Sequence, residues 1–202
     1  EERPMECKSL KFQISLASIQ ARKRKAETLP PKSGSAMRVE HEYERKGALA
    51  YFGAWDVHRA KIFGRCERKT GIQPFERLVD QVMSQEPYRS ARRVFWIMDN
   101  GSSHRGRACI ARLANRWKSI IPVHTPVHAS WLNQIEIYFS ILQEKVLTPP
   151  DFKSITELQT RMLDFQVYYE AIAKPFRWNF TREDLKKLMT KLEARSKLKP
   201  AA

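Results

Sequence analysis

No stretch of the 202 residues approaches the roughly 18 consecutive apolar residues that a membrane-crossing helix needs. The first residues, EERPMECKSLK, also lack the apolar run of a secretory signal. Cysteine is scarce: Cys7, Cys66 and Cys109 stand alone, with no C-x-x-C pair. That pattern excludes a disulfide framework and a cysteine-based zinc site, and it fits reduced thiols in a cytosolic compartment. Acid is the minority charge. Against 37 Lys and Arg there are 22 Asp and Glu, which leaves a formal charge of +15 and an isoelectric point near 10.0. A domain with that imbalance tends to meet a polyanion, most often nucleic acid. Hydrophobic residues still make up 42%, enough to bury a core.

The apolar runs and their punctuation give an order of elements. LKFQISLASIQ (10–20) reads as an extended segment, and the basic, Pro/Ser/Gly-rich ARKRKAETLPPKSGS after it reads as a loop. GALAYFGAWDV (47–57) and AKIFGRCE (60–67) read as two strands of a hairpin. Phe75, Leu78, Val79 and Val82 recur at helical spacing within 72–85. VFWIMD is a short strand; Cys109, Ile110, Leu113 and Trp117 mark the buried face of a following helix; SIIPVHTP is another strand, closing at Pro126. Leu132, Ile135, Phe139, Leu142 and Val146 form one stripe of a further helix, which LTPPDF ends. Ser154 and Glu157 make a capping box for the next helix, and Thr181 to Asp184 a second cap before a Lys-rich final one. Antiparallel strands followed by a βαβ portion predict an α/β fold with a mixed sheet flanked by helices, the order found in ribonuclease H-like domains.

Two stretches carry chemistry. In VFWIMDNGSSH, Asp99 sits at the carboxyl end of a strand read as central, where open sheets place ligands, and Asn100-Gly101 turns the chain sharply. By itself Asp-Asn-Gly is ordinary turn chemistry. In HASWLNQIEIYF, Glu136 flanks the apolar stripe with Asn133 one turn before it; such a carboxylate is more often a solvated flank. Carboxylates that converge repel one another unless a cation joins them, and hard oxygen ligands suit Mg²⁺ or Mn²⁺. Two such ions about 3.5–4 Å apart can drive an in-line phosphoryl displacement.

WIMDNGSSHRG followed by VHTPVHASWLNQIEIYFSIL resembles the catalytic domain of mariner-like bacterial insertion-sequence transposases, members of the DDE superfamily. The matching positions are Asp99, Asn100, His104, Pro126, Ser130, Leu132, Asn133 and Glu136, and the likeness extends over residues 17–192. The resemblance implies a ribonuclease H-like fold, three metal-binding acids, Mg²⁺ or Mn²⁺ as cofactor, insertion-sequence DNA ends as partner, a homodimer, and a cytoplasmic, nucleoid-associated life. Asp99 would be the second acid and Glu136 the third, with Asn100, His104 and Asn133 in support. The first acid should lie on the first strand. Here Gln13-Ile14-Ser15-Leu16 stands there, and no acid occurs from Leu10 to Arg24. Asp56, in AWDVH, is the substitute candidate. Arg22, Lys23, Arg24 and Lys25, with Arg105 and Arg107, are the candidates for phosphate contact, against a plain solvated basic face. The expected layout is a divergent segment 1–16, a catalytic core 17–150, closing helices 151–196 and a tail 197–202. With about 20 residues ahead of the likeness, a truncated copy without helix-turn-helix modules is expected. Two functions follow: an impaired metal-dependent strand-cutting and strand-joining enzyme, or a dead relic that binds DNA by charge. A basic RNA-associated protein is the more distant alternative.

Overall fold

The computed structural model describes residues 10–99, 106–126, 133–176 and 181–197, with side chains in the last stretch up to Lys191. Among the described residues, five strands and five helices follow one another in the predicted order: β1 Leu10–Arg24, β2 Tyr43–Asp56, β3 Lys61–Glu67, α1 Ile72–Met83, β4 Val94–Met98, α2 Gly106–Arg116, β5 Ile120–His124, α3 Ile135–Lys145, α4 Ile155–Ile172 and α5 Arg182–Lys197. One sheet holds all five strands in the order β3-β2-β1-β4-β5. β1 pairs antiparallel with β2 and β2 with β3, whereas β1–β4 and β4–β5 are parallel. This is the mixed sheet of a ribonuclease H-like fold, with β1 at its centre.

The pleat sorts side chains into two cores because successive residues of a strand point to opposite faces. On one face Phe12, Ile14, Phe52, Phe63, Trp96 and Met98 meet Phe75, Leu78 and Val82 of α1 and Cys109 and Leu113 of α2. On the other, Leu49, Tyr51, Trp55 and Ile62 meet Ile135, Tyr138 and Leu142 of α3 and Leu158, Met162 and Tyr169 of α4. Ion pairs tie α2 to α1 at the surface, Arg112 to Glu76 and Arg116 to Asp80. Both expected caps form. The Glu157 amide donates to Ser154 Oγ at 3.1 Å, and Thr181 and Asp184 exchange reciprocal bonds.

Two details depart from expectation. β1 does not stop at Gln20: Ala21–Arg24 continue the strand after a bulge, because Arg22, Lys23 and Arg24 pair with Arg45, Glu44 and Tyr43 of β2. Arg22–Arg24 are therefore strand, not loop, and Lys25 lies just past the strand end. On α2, Ile110 points outward at 39% exposure, while Cys109 and Leu113 carry the packing. Leu132, expected on the α3 stripe, lies outside the described residues. Among the described residues no helix is long and apolar enough to cross a membrane.

Candidate active site

The register of β1 decides which side chains can meet Asp99. Ile14 lies beside Met98, and both point into the α1/α2 core. Asp99, one residue further, points to the opposite, α3-covered face, and so do Gln13 and Ser15 on β1. Glu136 comes to that face from the first turn of α3, where a carboxylate favours the positive end of the helix. Asp99 is half-buried and Glu136 exposed. Asp99 thus follows the end of β4, and Glu136 stands in the first turn of α3, the helix that covers this face of the sheet.

Amides knit the entry of α3 to β1. Asn133, 1% exposed, donates from Nδ2 to the Ile14 carbonyl at 2.6 Å. The Gln134 backbone amide donates to Gln13 Oε1 at 2.5 Å. Gln13 and Gln134 are 6% and 7% exposed, so both bonds are shielded from water. The amide oxygens Asn133 Oδ1 and Gln134 Oε1 are buried and find no partner among the described residues.

Asp56 lies on the other side of the sheet. Its register partner on β1 is Phe12, a residue of the α1/α2 core, and its side chain is fully buried. Oδ1 accepts the amides of His58 at 2.9 Å and Arg59 at 3.1 Å; Oδ2 accepts the Tyr88 hydroxyl at 2.8 Å and Arg59 Nη1 at 3.3 Å. These bonds hold the β2–β3 turn, in which Ala60 has a positive φ of 54°. Burial first, and the bond to Asp56 second, push the Tyr88 phenol well above its ordinary pKa. The structure does not bring Asp56 to Asp99 and Glu136.

The basic candidates separate by environment. Arg24 is held from within: its amide donates to Asp151 Oδ1, Nε to the Pro150 carbonyl at 3.2 Å, and Nη1 to the Glu40 carbonyl at 2.5 Å. Arg22 bonds Gln20 and lies 4.6 Å from the Tyr43 ring centre. Lys23 is exposed opposite Glu44, and Lys25 pairs with Glu42 at 2.5 Å. Arg107 is exposed on the first turn of α2. Asn100, His104, Arg105 and Ser130 lie outside the described residues.

Sequence reasoning passed over Gln13 as a buried polar contact between β1 and the entry of α3. The signal was there: Phe12 and Ile14 alternate with Gln13 and Ser15, and such alternation marks a strand face with polar contacts. The donor set does not fit a two-ion site. On β1 the side chains facing Asp99 are an amide and a hydroxyl, and Gln13 Oε1 already accepts a backbone amide. Among the described residues no three His, Cys, Asp or Glu side chains gather closely enough to hold a metal.

Known structures share this arrangement. The Mos1 mariner paired-end complex with Mn superposes with a TM-score of 0.59 at 14% identity, over 78% of this chain and 48% of that one. The Mos1 strand transfer complex matches with a TM-score of 0.55 at 14% identity, over 95% and 56%. The chain spans about half the length of these solved relatives. A search of curated proteins finds no match. A sequence model described as DDE superfamily endonuclease covers residues 17–159, from the middle of β1 into α4. With that match over most of its length, the chain belongs to the DDE superfamily endonucleases.

Proposed function

We propose that the chain is a transposase-type domain that acts on DNA, with an impaired capacity for metal-dependent strand cleavage and strand transfer. The observation that carries the reading is a β1 without any carboxylate, set between Asp99 just past the end of β4 and Glu136 in the first turn of α3. Two ions in an in-line displacement need a bridging acid. Two carboxylates on separate elements, one of them exposed, supply less than that. Phosphate contact falls to the exposed cations Lys23 and Arg107, with Lys25 and Arg22 beside them, while Arg24 serves mainly to hold the end of β1.

The resemblance supports finer expectations of the same kind: a bacterial insertion sequence as origin, Mg²⁺ or Mn²⁺ as the ion of intact members, transposon ends as DNA, two copies acting together, and residence with the nucleoid. The neighbouring structures are a paired-end complex with Mn and a strand transfer complex, which agrees with DNA as partner. The test is cleavage of supercoiled plasmid in Mn²⁺ and in Mg²⁺ by the parent and by Asp99→Asn. The reading expects no strand cleavage by the parent above the level of the variant. Robust nicking that Asp99→Asn abolishes would show that the site is whole and overturn the impairment.

A further inference from the structure

We propose that Gln13 and Asn133 form a neutral clasp that fixes the entry of α3 on β1 without a metal ion, and that Ser15 is the position where one carboxylate would give this face a cation site. The proposal rests on the assignment of Asp99 and Glu136 to the functional face.

The clasp is reciprocal. A strand side chain, Gln13, receives the backbone amide of the helix entry; a helix-entry side chain, Asn133, donates to the backbone carbonyl of the strand. Each bond crosses from one element to the other in a buried place, where a lost partner leaves a costly unpaired group. In a carboxylate site the same two elements would be joined through a cation, because an acid on β1 facing Asp99 and Glu136 is repelled by both. An amide at position 13 removes the charge and keeps an acceptor. The seat of α3, and with it the place of Glu136, is then set by hydrogen bonds that need no ion. The close approach is helped from β2, where Gly53 sits opposite Ser15; a Cβ there would lie 3.0 Å from Ile135 Cδ1 and 3.2 Å from Phe139 Cε2.

Position 15 differs from position 13. Ser15 follows Ile14, whose register partner is Met98, so it is the β1 side chain of this face nearest in register to Asp99, one residue past the end of β4. Its hydroxyl makes no hydrogen bond among the described residues, whereas Gln13 is occupied by Gln134. A carboxylate at 15 stands beside Asp99 and leaves the clasp intact; a carboxylate at 13 breaks into it.

The experiment is a melting and calorimetric titration with MnCl₂ against EDTA on the full chain, with Ser15→Asp, Gln13→Asp, Gln13→Leu and Ser15→Asp/Asp99→Asn. The parent is expected to bind no Mn²⁺ and to melt at the same temperature in both solutions. Ser15→Asp should bind, and at tenfold excess over its Kd the melting temperature should rise by about 3–6 °C. Asp99→Asn in the same chain should cancel that rise. Gln13→Asp and Gln13→Leu should melt lower than the parent and show no response to Mn²⁺. If the parent binds Mn²⁺ and Asp99→Asn removes the binding, a metal still joins the face and the proposal falls. It falls equally if Gln13→Leu melts with the parent, or if a folded Ser15→Asp ignores Mn²⁺. Should Ser15→Asp fail to fold, the parent titration and Gln13→Leu decide the clasp by themselves. Duplex binding by the same samples reports on the functional reading: its absence would count against DNA as partner and leave the clasp untouched.

Discussion

Replacing Asp56 with alanine separates a structural carboxylate from a catalytic one. The side chain is fully buried and accepts four hydrogen bonds, two from backbone amides, one from the Tyr88 hydroxyl and one from Arg59. His58 and Arg59 are exposed, so their amides and the guanidinium regain water when the acceptor is removed. Tyr88 is 1% exposed, and its hydroxyl does not. Counting about 1.5–3 kcal/mol for the charged bond to the buried hydroxyl and about 1 kcal/mol for each of the two loosened turn amides, Asp56→Ala should cost about 3.5–5 kcal/mol. Asp56→Asn keeps Oδ1 for the two amides and can donate to the Tyr88 oxygen, and loses chiefly the attraction of Arg59. It should cost about 1–2 kcal/mol. Urea unfolding followed by tryptophan fluorescence reports on this directly, since Trp55 and Trp96 are buried in the two cores. An Asp56→Ala variant within 1 kcal/mol of the parent would refute the structural assignment. So would an Asp56→Asn variant of parental stability that had lost a DNA-directed activity of the parent, because that pattern belongs to a reacting group.

Other consequences follow from neighbouring contacts. Glu67 accepts from Arg77 at 2.6 Å and from Arg65, and these bonds, Arg77 first, hold its carboxyl near a pKa of about 2, below the usual 4.5. A depressed carboxylate stabilises the fold above its unfolded pKa, so unfolding free energy should fall by about 1–2 kcal/mol as pH drops from about 4.5 to 2. Glu67→Gln should flatten that part of the acid titration; an unchanged slope would refute the pairing. Gly64→Ala places a Cβ against the Tyr51 hydroxyl and Gln166 Oε1, whose network also includes Tyr138 at 3.0 Å. Overpacking and a broken buried network should cost about 2–4 kcal/mol, measured by chemical denaturation; a loss below 1 kcal/mol would contradict the packing. Arg24→Ala should lower the melting temperature by several degrees, since its guanidinium ties β1 to Glu40 and Pro150, whereas Lys23→Ala should leave it within a degree. Equal effects on melting would refute the division of the basic run.

Element order was legible in the sequence because it rests on local period. The α1 stripe Phe75, Leu78, Val79, Val82 and the caps at Ser154 and Thr181 act within a turn or two and need no distant partner. Register was not legible. Whether Ala21–Arg24 form strand depends on Tyr43–Arg45 arriving opposite them, which no window around the basic run contains. The same limit governs the site. Asp99 and Glu136 are candidates because a strand end and a helix start have local signatures, and it is the resemblance to transposase catalytic domains that joins them into one site. The face on which Asp56 falls is set by its pairing with Phe12, across the sheet and far along the chain. The role of Gln13 waits on the backbone of Gln134, 121 positions later. Ile110 shows the smaller version: its helical spacing suited burial, yet the sheet below α2 has room for Cys109 and Leu113 and leaves Ile110 at the rim.

The most direct test of DNA as the partner is duplex binding by fluorescence anisotropy as a function of salt. The account predicts binding at low salt that is indifferent to sequence and falls linearly in log–log form, with a slope of about −0.9 per phosphate contact. It also predicts equal affinity for Asp99→Asn and a shallower slope when Lys23 and Arg107 are replaced together. No binding at low salt, or an affinity that salt leaves unchanged, would contradict it.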